Sequence, residues 1–187
     1  KYEATNVGTP QGGNLSPILS NIMLNELDKE LEARGLNFVR YADDCVIAVG
    51  SSAAANRVMH TVTKWIEGKL GLKVNMTKTR VTKPSQLKYL GFGFVKMGEK
   101  WESRPHQDSV ENFERKLKKL TKRSLPISMD ERIQRLNWVI RGWINYYRIG
   151  RMKQNLTRID GRLRTRVRIV IWKQWKRIKT RMANLIK

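Results

Sequence analysis

Cysteine is nearly absent: Cys45 stands alone among 187 residues, so no internal disulfide can form and the chain suits a reducing compartment. With His60 and His106 as its only histidines, the sequence excludes a structural zinc site. It holds no apolar run near the ~20 residues of a membrane helix. It has no G-x-G-x-x-G or Walker phosphate loop, because Pro10 occupies the second glycine place of GTPQGG. The opening KYEATNVGTPQGG has neither an initiator Met nor the apolar core of a signal peptide, and reads as a chain cut into. The expected setting is the cytoplasm of a bacterial host, and the Asn-x-Ser/Thr matches at Asn14, Asn75 and Asn155 are taken as chance. Acidic residues are scarce as well, 16 against 38 Lys and Arg, for a net charge of +22. Such an excess repels itself and calls for a polyanionic partner.

The charge is unevenly placed. Residues 1–100 hold 14 basic and 9 acidic side chains, whereas residues 101–187 hold 24 and 7, which suggests two halves with different tasks. In the first half, Ser16-Pro17 reads as a helix start, an N-cap followed by proline. Ile18, Leu19, Ile22, Met23, Leu27 and Leu31 then recur at helical spacing up to Gly35. FVRYA and CVIAV predict a hairpin. A second helix follows Ser51-Ser52, with Ala55, Val58, Met59, Val62, Trp65, Ile66 and Leu70 on one face, and Gly71 ends it. Short strands are predicted at 72–75, 79–82, 87–95 and 100–103. The second half predicts a helix over 107–123 and another opened by a capping box, Ser128 with Glu131. A last long helical pattern runs from Leu156 to Leu185, with Gly161 as an early breaking point. The fold class is α+β: a small antiparallel sheet with helices on one face, then an all-α region of about three helices, divided as 1–104 and 105–187.

Asp43 and Asp44 stand between two apolar, β-prone flanks. Adjacent carboxylates repel, and one takes up a proton unless a cation neutralises the pair. Hard oxygen ligands favour Mg²⁺, held through one or two carboxylates together with substrate phosphates. The competing reading is plain turn chemistry, since Asp is favoured in turns; against it, the turn has no glycine or asparagine. GTPQGG at 8–13 offers backbone that can approach a base or phosphate closely, although alone it could be an ordinary loop.

GTPQGGNLSPILSNIMLNELD followed by RYADDCVI resembles the reverse transcriptase palm of group II intron-encoded proteins, the intron maturases. LGLKVNMTKTR and YLGFGF are similar to that family's following block and primer-grip segment, and ERIQRLNWVIRGWINYYRIG to its maturase-specific thumb. The resemblance implies an RNA-directed DNA polymerase that copies RNA from a DNA primer with dNTPs and two Mg²⁺ ions (Mn²⁺ a possible substitute). It also implies a partner in group II intron RNA, bound to assist splicing and mobility. Asp43 and Asp44 become metal ligands and Tyr41 lies against the primer end. Pro10, Gln11 and Gly12 fall beside the incoming nucleotide and templating base. Asn75 and Lys78 match an Asn-x-x-Lys block in which the lysine is a general acid toward pyrophosphate, its bland alternative being a solvated surface lysine. Leu90 and Gly91 belong to the primer grip. Such polymerases also need a third carboxylate on an earlier strand, as well as fingers. The stretch lacks both, so the 187 residues alone are expected to be inactive.

GRLRTRVRIVIWKQWKRIKTR carries Arg162, Arg164, Arg166, Arg168, Lys173, Lys176 and Arg177, with no acidic residue after Asp160. A solvated face usually mixes signs, so this stretch is expected to meet RNA phosphates. Trp143 and Trp175 are assigned to the core; Trp138 and Trp172 are candidates for surface contact. The rival from another class is a non-catalytic RNA-binding splicing factor that keeps the fold. An RNA-dependent RNA polymerase fits less well, because those typically carry Gly-Asp-Asp where this chain has Ala42-Asp43-Asp44.

Overall fold

The computed structural model describes residues 13–185 and divides the chain into two compact units, 1–82 and 83–187. In the first, α1 (Ser16–Ala33) leads through Gly35 into a hairpin of β1 (Asn37–Tyr41) and β2 (Asp44–Ala48). The turn at Gly35 follows Schellman geometry: Leu36 N–H bonds Leu31 O and Gly35 N–H bonds Glu32 O. Helix α2 (Ser52–Trp65) is capped by Ser51, whose hydroxyl accepts from Ala54 N–H, and runs on into a π-helical turn, Ile66–Leu70. Leu27, Leu31 and Val62 form the core, with Phe38 and Ile47 packed against it from one hairpin face. Val39 and Tyr41 point the other way and are exposed, as strand alternation requires.

The expected elements differ in three places. The N-cap of α1 is Leu15 rather than Ser16. Only the later half of the α1 stripe is buried. Ile18, Leu19, Ile22 and Met23 stay exposed, because a five-residue hairpin covers no more than the Leu24–Leu31 end. Residues 72–75 and 79–82 form no strand. Leu72 and Val74 alternate with exposed Lys73 and Asn75, but alternation specifies a strand's faces and not a partner to pair with.

In the second unit β3 (Lys88–Tyr89), β4 (Phe92–Met97) and β5 (Lys100–Pro105) form an antiparallel sheet in that order. The single strand expected over 87–95 is broken by a two-residue turn, Leu90 and Gly91, both at positive φ. Helices α3 (Gln107–Leu120), α4 (Met129–Tyr147), α5 (Lys153–Gln174) and α6 (Ile178–Leu185) follow. Gly161 lies inside α5; the long terminal pattern breaks instead at Trp175, whose carbonyl accepts from Arg181 Nε at 2.7 Å. Among the described residues the helices after the sheet therefore number four, against the expected about three. The Ser128 hydroxyl accepts from Glu131 N–H at 3.1 Å, while the Glu131 carboxylate turns to Arg135, so only half of the capping box forms. Val110, Phe113, Leu117, Leu136 and Ile159 build the core, and Trp143 stacks on Phe113 at 4.5 Å.

The sheet is bolted to these helices. Ser109 Oγ and His106 N–H both donate to Gly91 O at 2.9 Å, Tyr146 Oη donates to Leu90 O at 2.9 Å, and Arg151 N–H donates to Ser103 O at 2.8 Å. Those bonds place the compact boundary after Thr82, ahead of the sheet, whereas the sequence reading divides the chain at 104.

Candidate active site and nucleic-acid interface

Tyr41 and Asp44 close the first hairpin, leaving Ala42 and Asp43 as a two-residue loop. Ala42 sits at φ +54° and Asp43 is not at positive φ, the pattern of a type II′ turn, whose first position favours glycine. An alanine there holds backbone strain on the order of 1–2 kcal/mol. Asp43 and Asp44 are both exposed, so the apolar flanks do not bury them; Asp43 sits in the turn and Asp44 opens β2, both at the hairpin tip. As strand partners, Asp44 and Tyr41 share the outer hairpin face. The donor chemistry fits a hard divalent cation. Among the described residues no third His, Cys, Asp or Glu joins the pair.

The sequence reading overlooked the support beneath this turn. Arg40, on the inward face, donates through Nε to Asp28 Oδ1 at 2.7 Å and pairs with Asp28 Oδ2. Its remaining terminal nitrogen donates to Asn21 Oδ1 at 3.0 Å and to Ala42 O at 2.8 Å. The signal was present: Asp28 interrupts the apolar inward row of α1, and Arg40 follows Phe38 by two on β1. Nearby Cys45 has its thiol pushed up to about 11, chiefly by burial and then by the Asp28 carboxylate, with Arg40 opposing. It is a packed side chain, held in its protonated form at neutral pH.

Asn75 does not present a free amide oxygen. Its Oδ1 accepts from Thr77 N–H (3.1 Å), Thr77 Oγ1 (2.6 Å) and Lys78 N–H (3.2 Å), an Asx turn that shapes the loop carrying exposed Lys78. Leu90 and Gly91 have their carbonyls taken by α3 and α4 as described above. Pro10, Gln11 and Gly12 lie outside the described residues.

The seven basic residues expected at the RNA surface divide by their partners. Arg162 approaches Glu114 at 3.4 Å, where Arg158 also binds, and Arg164 pairs with Asp160 at 2.8 Å. Arg166 donates to Thr121 Oγ1 at 2.6 Å and to Lys118 O at 3.1 Å, pinning α5 to α3. Arg168, Lys173, Lys176 and Arg177 meet no acidic side chain among the described residues. Arg168 and Lys173 line a groove with Arg123, Trp172 and Arg181, and the Arg181 guanidinium lies 4.9 Å from the Trp172 ring centroid. Trp172 and Trp138 are exposed, as expected; Tyr147 is buried.

These two units, a carboxylate-tipped palm hairpin and a basic helical bundle, define a class. Residues 1–94 match the reverse transcriptase (RNA-dependent DNA polymerase) family, and the chain belongs to it. Residues 110–187 match the group II intron maturase-specific domain, so within that family the chain groups with the intron-encoded maturases. The chain is 30% identical to protein YkfC of Escherichia coli, across 52% of this chain and 33% of that one. It is 27% identical to the group II intron-encoded protein LtrA of Lactococcus lactis, across 59% and 31%, and 27% identical to a putative COX1/OXI3 intron 2 protein of Saccharomyces cerevisiae, across 57% and 19%. It thus spans about a third or less of the length of each of these relatives. Among the described residues no helix is long and apolar enough to cross a membrane.

Proposed function

We propose that the chain is the later palm and the thumb of an RNA-directed DNA polymerase that doubles as an intron maturase, working in the cytoplasm of a bacterial host. The palm occupies residues 1–104 and the thumb 105–187. The intact enzyme extends a primer 3′-OH on an RNA template with dNTPs, and its thumb grips group II intron RNA. The observation that carries this reading is the pair Asp43 and Asp44, solvent-facing at the hairpin tip of a chain whose first 94 residues match the polymerase family. Both carboxylates would hold Mg²⁺, with Mn²⁺ a substitute, and a metal held there would supply positive charge to the phosphoryl transfer. Tyr41, on the same hairpin face as Asp44, lies against the primer end. Pro10, Gln11 and Gly12 flank the incoming nucleotide, and Leu90 and Gly91 track the primer. Lys78 protonates departing pyrophosphate from the loop that Asn75 shapes.

On the thumb, Arg168, Lys173, Lys176 and Arg177 take RNA phosphates directly. Arg162 and Arg164 join them by giving up exposed ion pairs worth about 0–1 kcal/mol each, while Arg166 holds the helices together. In the enzyme containing this chain, Asp43→Ala should abolish cDNA synthesis and leave assisted splicing intact. Splicing help with no cDNA synthesis by the unaltered enzyme would instead establish the non-catalytic splicing factor. The 187 residues alone should incorporate no dNTP, because a third carboxylate and the fingers are needed too. RNA affinity should fall with salt at a log–log slope of about −0.9 per duplex phosphate neutralised, and salt-independent binding would refute the thumb assignment.

A further inference from the structure

The turn that presents Asp43 is gripped from below. Ala42 occupies a left-handed conformation that side-chain-bearing residues seldom adopt, so the turn needs outside support to persist. One side chain supplies such support, that of Arg40. The Arg40 guanidinium clasps both oxygens of Asp28, reaches Asn21 Oδ1 at 3.0 Å and donates to Ala42 O at 2.8 Å. It is well shielded, with 12% of the Arg40 side chain exposed and 22% of Asp28, so these charge-assisted bonds are poorly screened. Asp28 and Asn21 both sit on α1, whose Leu27 and Leu31 lie in the core of this unit.

The carbonyl being held matters. Ala42 C=O belongs to the planar peptide that continues into the nitrogen of Asp43. Clamping the carbonyl sets the plane of that peptide, and the plane constrains where Asp43 carries its Cβ and carboxylate. We propose that Arg40 is a positioning residue for Asp43, anchored on helix α1 through Asp28 and Asn21. Its functional consequence rests on the polymerase reading above. Lysine cannot replace it, since one ammonium does not match the planar fork that spans a carboxylate and a carbonyl at once.

The test uses the full-length polymerase carrying this chain, with Arg40→Lys, Asp28→Asn, and the swap of Arg40→Asp with Asp28→Arg. Four quantities are read: the single-turnover rate of dNTP incorporation, the Mg²⁺ concentration at half-maximal rate, template–primer affinity, and hydrogen exchange of the Asp43 and Asp44 amides. Arg40→Lys should slow incorporation at least tenfold, raise the Mg²⁺ requirement, and speed exchange at the turn at least tenfold. Template–primer affinity should stay within twofold, and core amides at Leu27, Leu31 and Val62 should keep their protection. Asp28→Asn should move the same quantities in the same direction by less, which keeps the test open if Arg40→Lys unfolds. The swap restores an ion pair but offers no donor to Ala42 O, so it should fail to rescue; full rescue would mean an ordinary structural pair and overturn the proposal. Unchanged turn exchange and rate in Arg40→Lys would overturn it as well, with the Asp43 requirement intact. Full cDNA synthesis by Asp43→Asn would remove Asp43 from the site and overturn Arg40's part in catalysis, whereas no cDNA synthesis by the unaltered enzyme would instead overturn the polymerase reading.

Discussion

Replacing Gly91 by alanine should destabilise the second unit by about 3 kcal/mol, and the structure separates two causes. Gly91 has φ +79°, where a Cβ costs about 1–2 kcal/mol. That Cβ would also lie 2.5 Å from Tyr147 Oη and 3.3 Å from Ser109 Oγ. Tyr147 cannot swing away: it is buried, and its ring touches Phe92, Trp143 and Tyr146 at centroid distances of 4.9, 4.8 and 4.8 Å. Forcing a methyl into such a site adds about 1–3 kcal/mol. Gly98 is the natural control. At φ +62° it carries the same backbone penalty, but a Cβ there would meet nothing within 4 Å. Urea unfolding followed by circular dichroism should place Gly98→Ala about 1 kcal/mol below the unaltered protein and Gly91→Ala well below that. Adding Tyr147→Phe removes the clashing hydroxyl, so Gly91→Ala should cost about 1–2 kcal/mol less in that background. Equal losses at Gly91 and Gly98, or no relief from Tyr147→Phe, would refute the packing argument.

Arg132 is 2% exposed and spends its charge on the carbonyls of Leu120, Lys122 and Leu125, closing the loop after α3; Arg132→Leu should cost about 2–4 kcal/mol in the same assay, and a loss below about 1 would contradict that role. The Lys88 hydrogen bond holds the Asp108 carboxyl below its ordinary value, so its contribution is present above the usual carboxylate range and lost as pH falls through the folded pKa. Carbon-detected NMR titration should show Asp108 rising toward the ordinary value in Lys88→Met, and no movement would disprove the attribution. With its thiol pushed up to about 11 from 9.0, Cys45 should react slowly with iodoacetamide at pH 8 and faster as pH climbs toward 11. The folded state keeps that proton more tightly, so stability from this group falls as pH rises from about 9 to about 11; rapid labelling of folded protein at pH 8 would refute the assignment.

Local signals carried much of this molecule. Gly35 and Gly71 as helix stops, Ser51 and Ser128 as caps, and the helical rows of α2, α3 and α4 depend on neighbours a few residues apart, so they were legible in the chain. The YADD hairpin was legible for the same reason, since two β-prone segments so close in sequence pair with each other. Strand partnership at 72–82 was not legible, because a period of two says which side chains share a face and nothing about what lies alongside. The break at Leu90 and Gly91 was hidden within a run of β-prone residues, and its left-handed geometry is supported by carbonyl contacts from α3 and α4.

The candidate site divides the same way. Residue order alone determined that Asp43 and Asp44 stand together between two β-prone segments, that Lys78 follows Asn75 by three residues, and that the last 27 residues carry only positive charge. Only the tertiary structure decided which charges are committed to distant partners: Arg166 to α3, Arg162 to the Glu114 carboxylate, and Arg40 to helix α1 and the strained turn. A side chain's charge is written in the sequence, but its partner is fixed by packing between distant segments, because pairing energy depends on distances that only the fold sets.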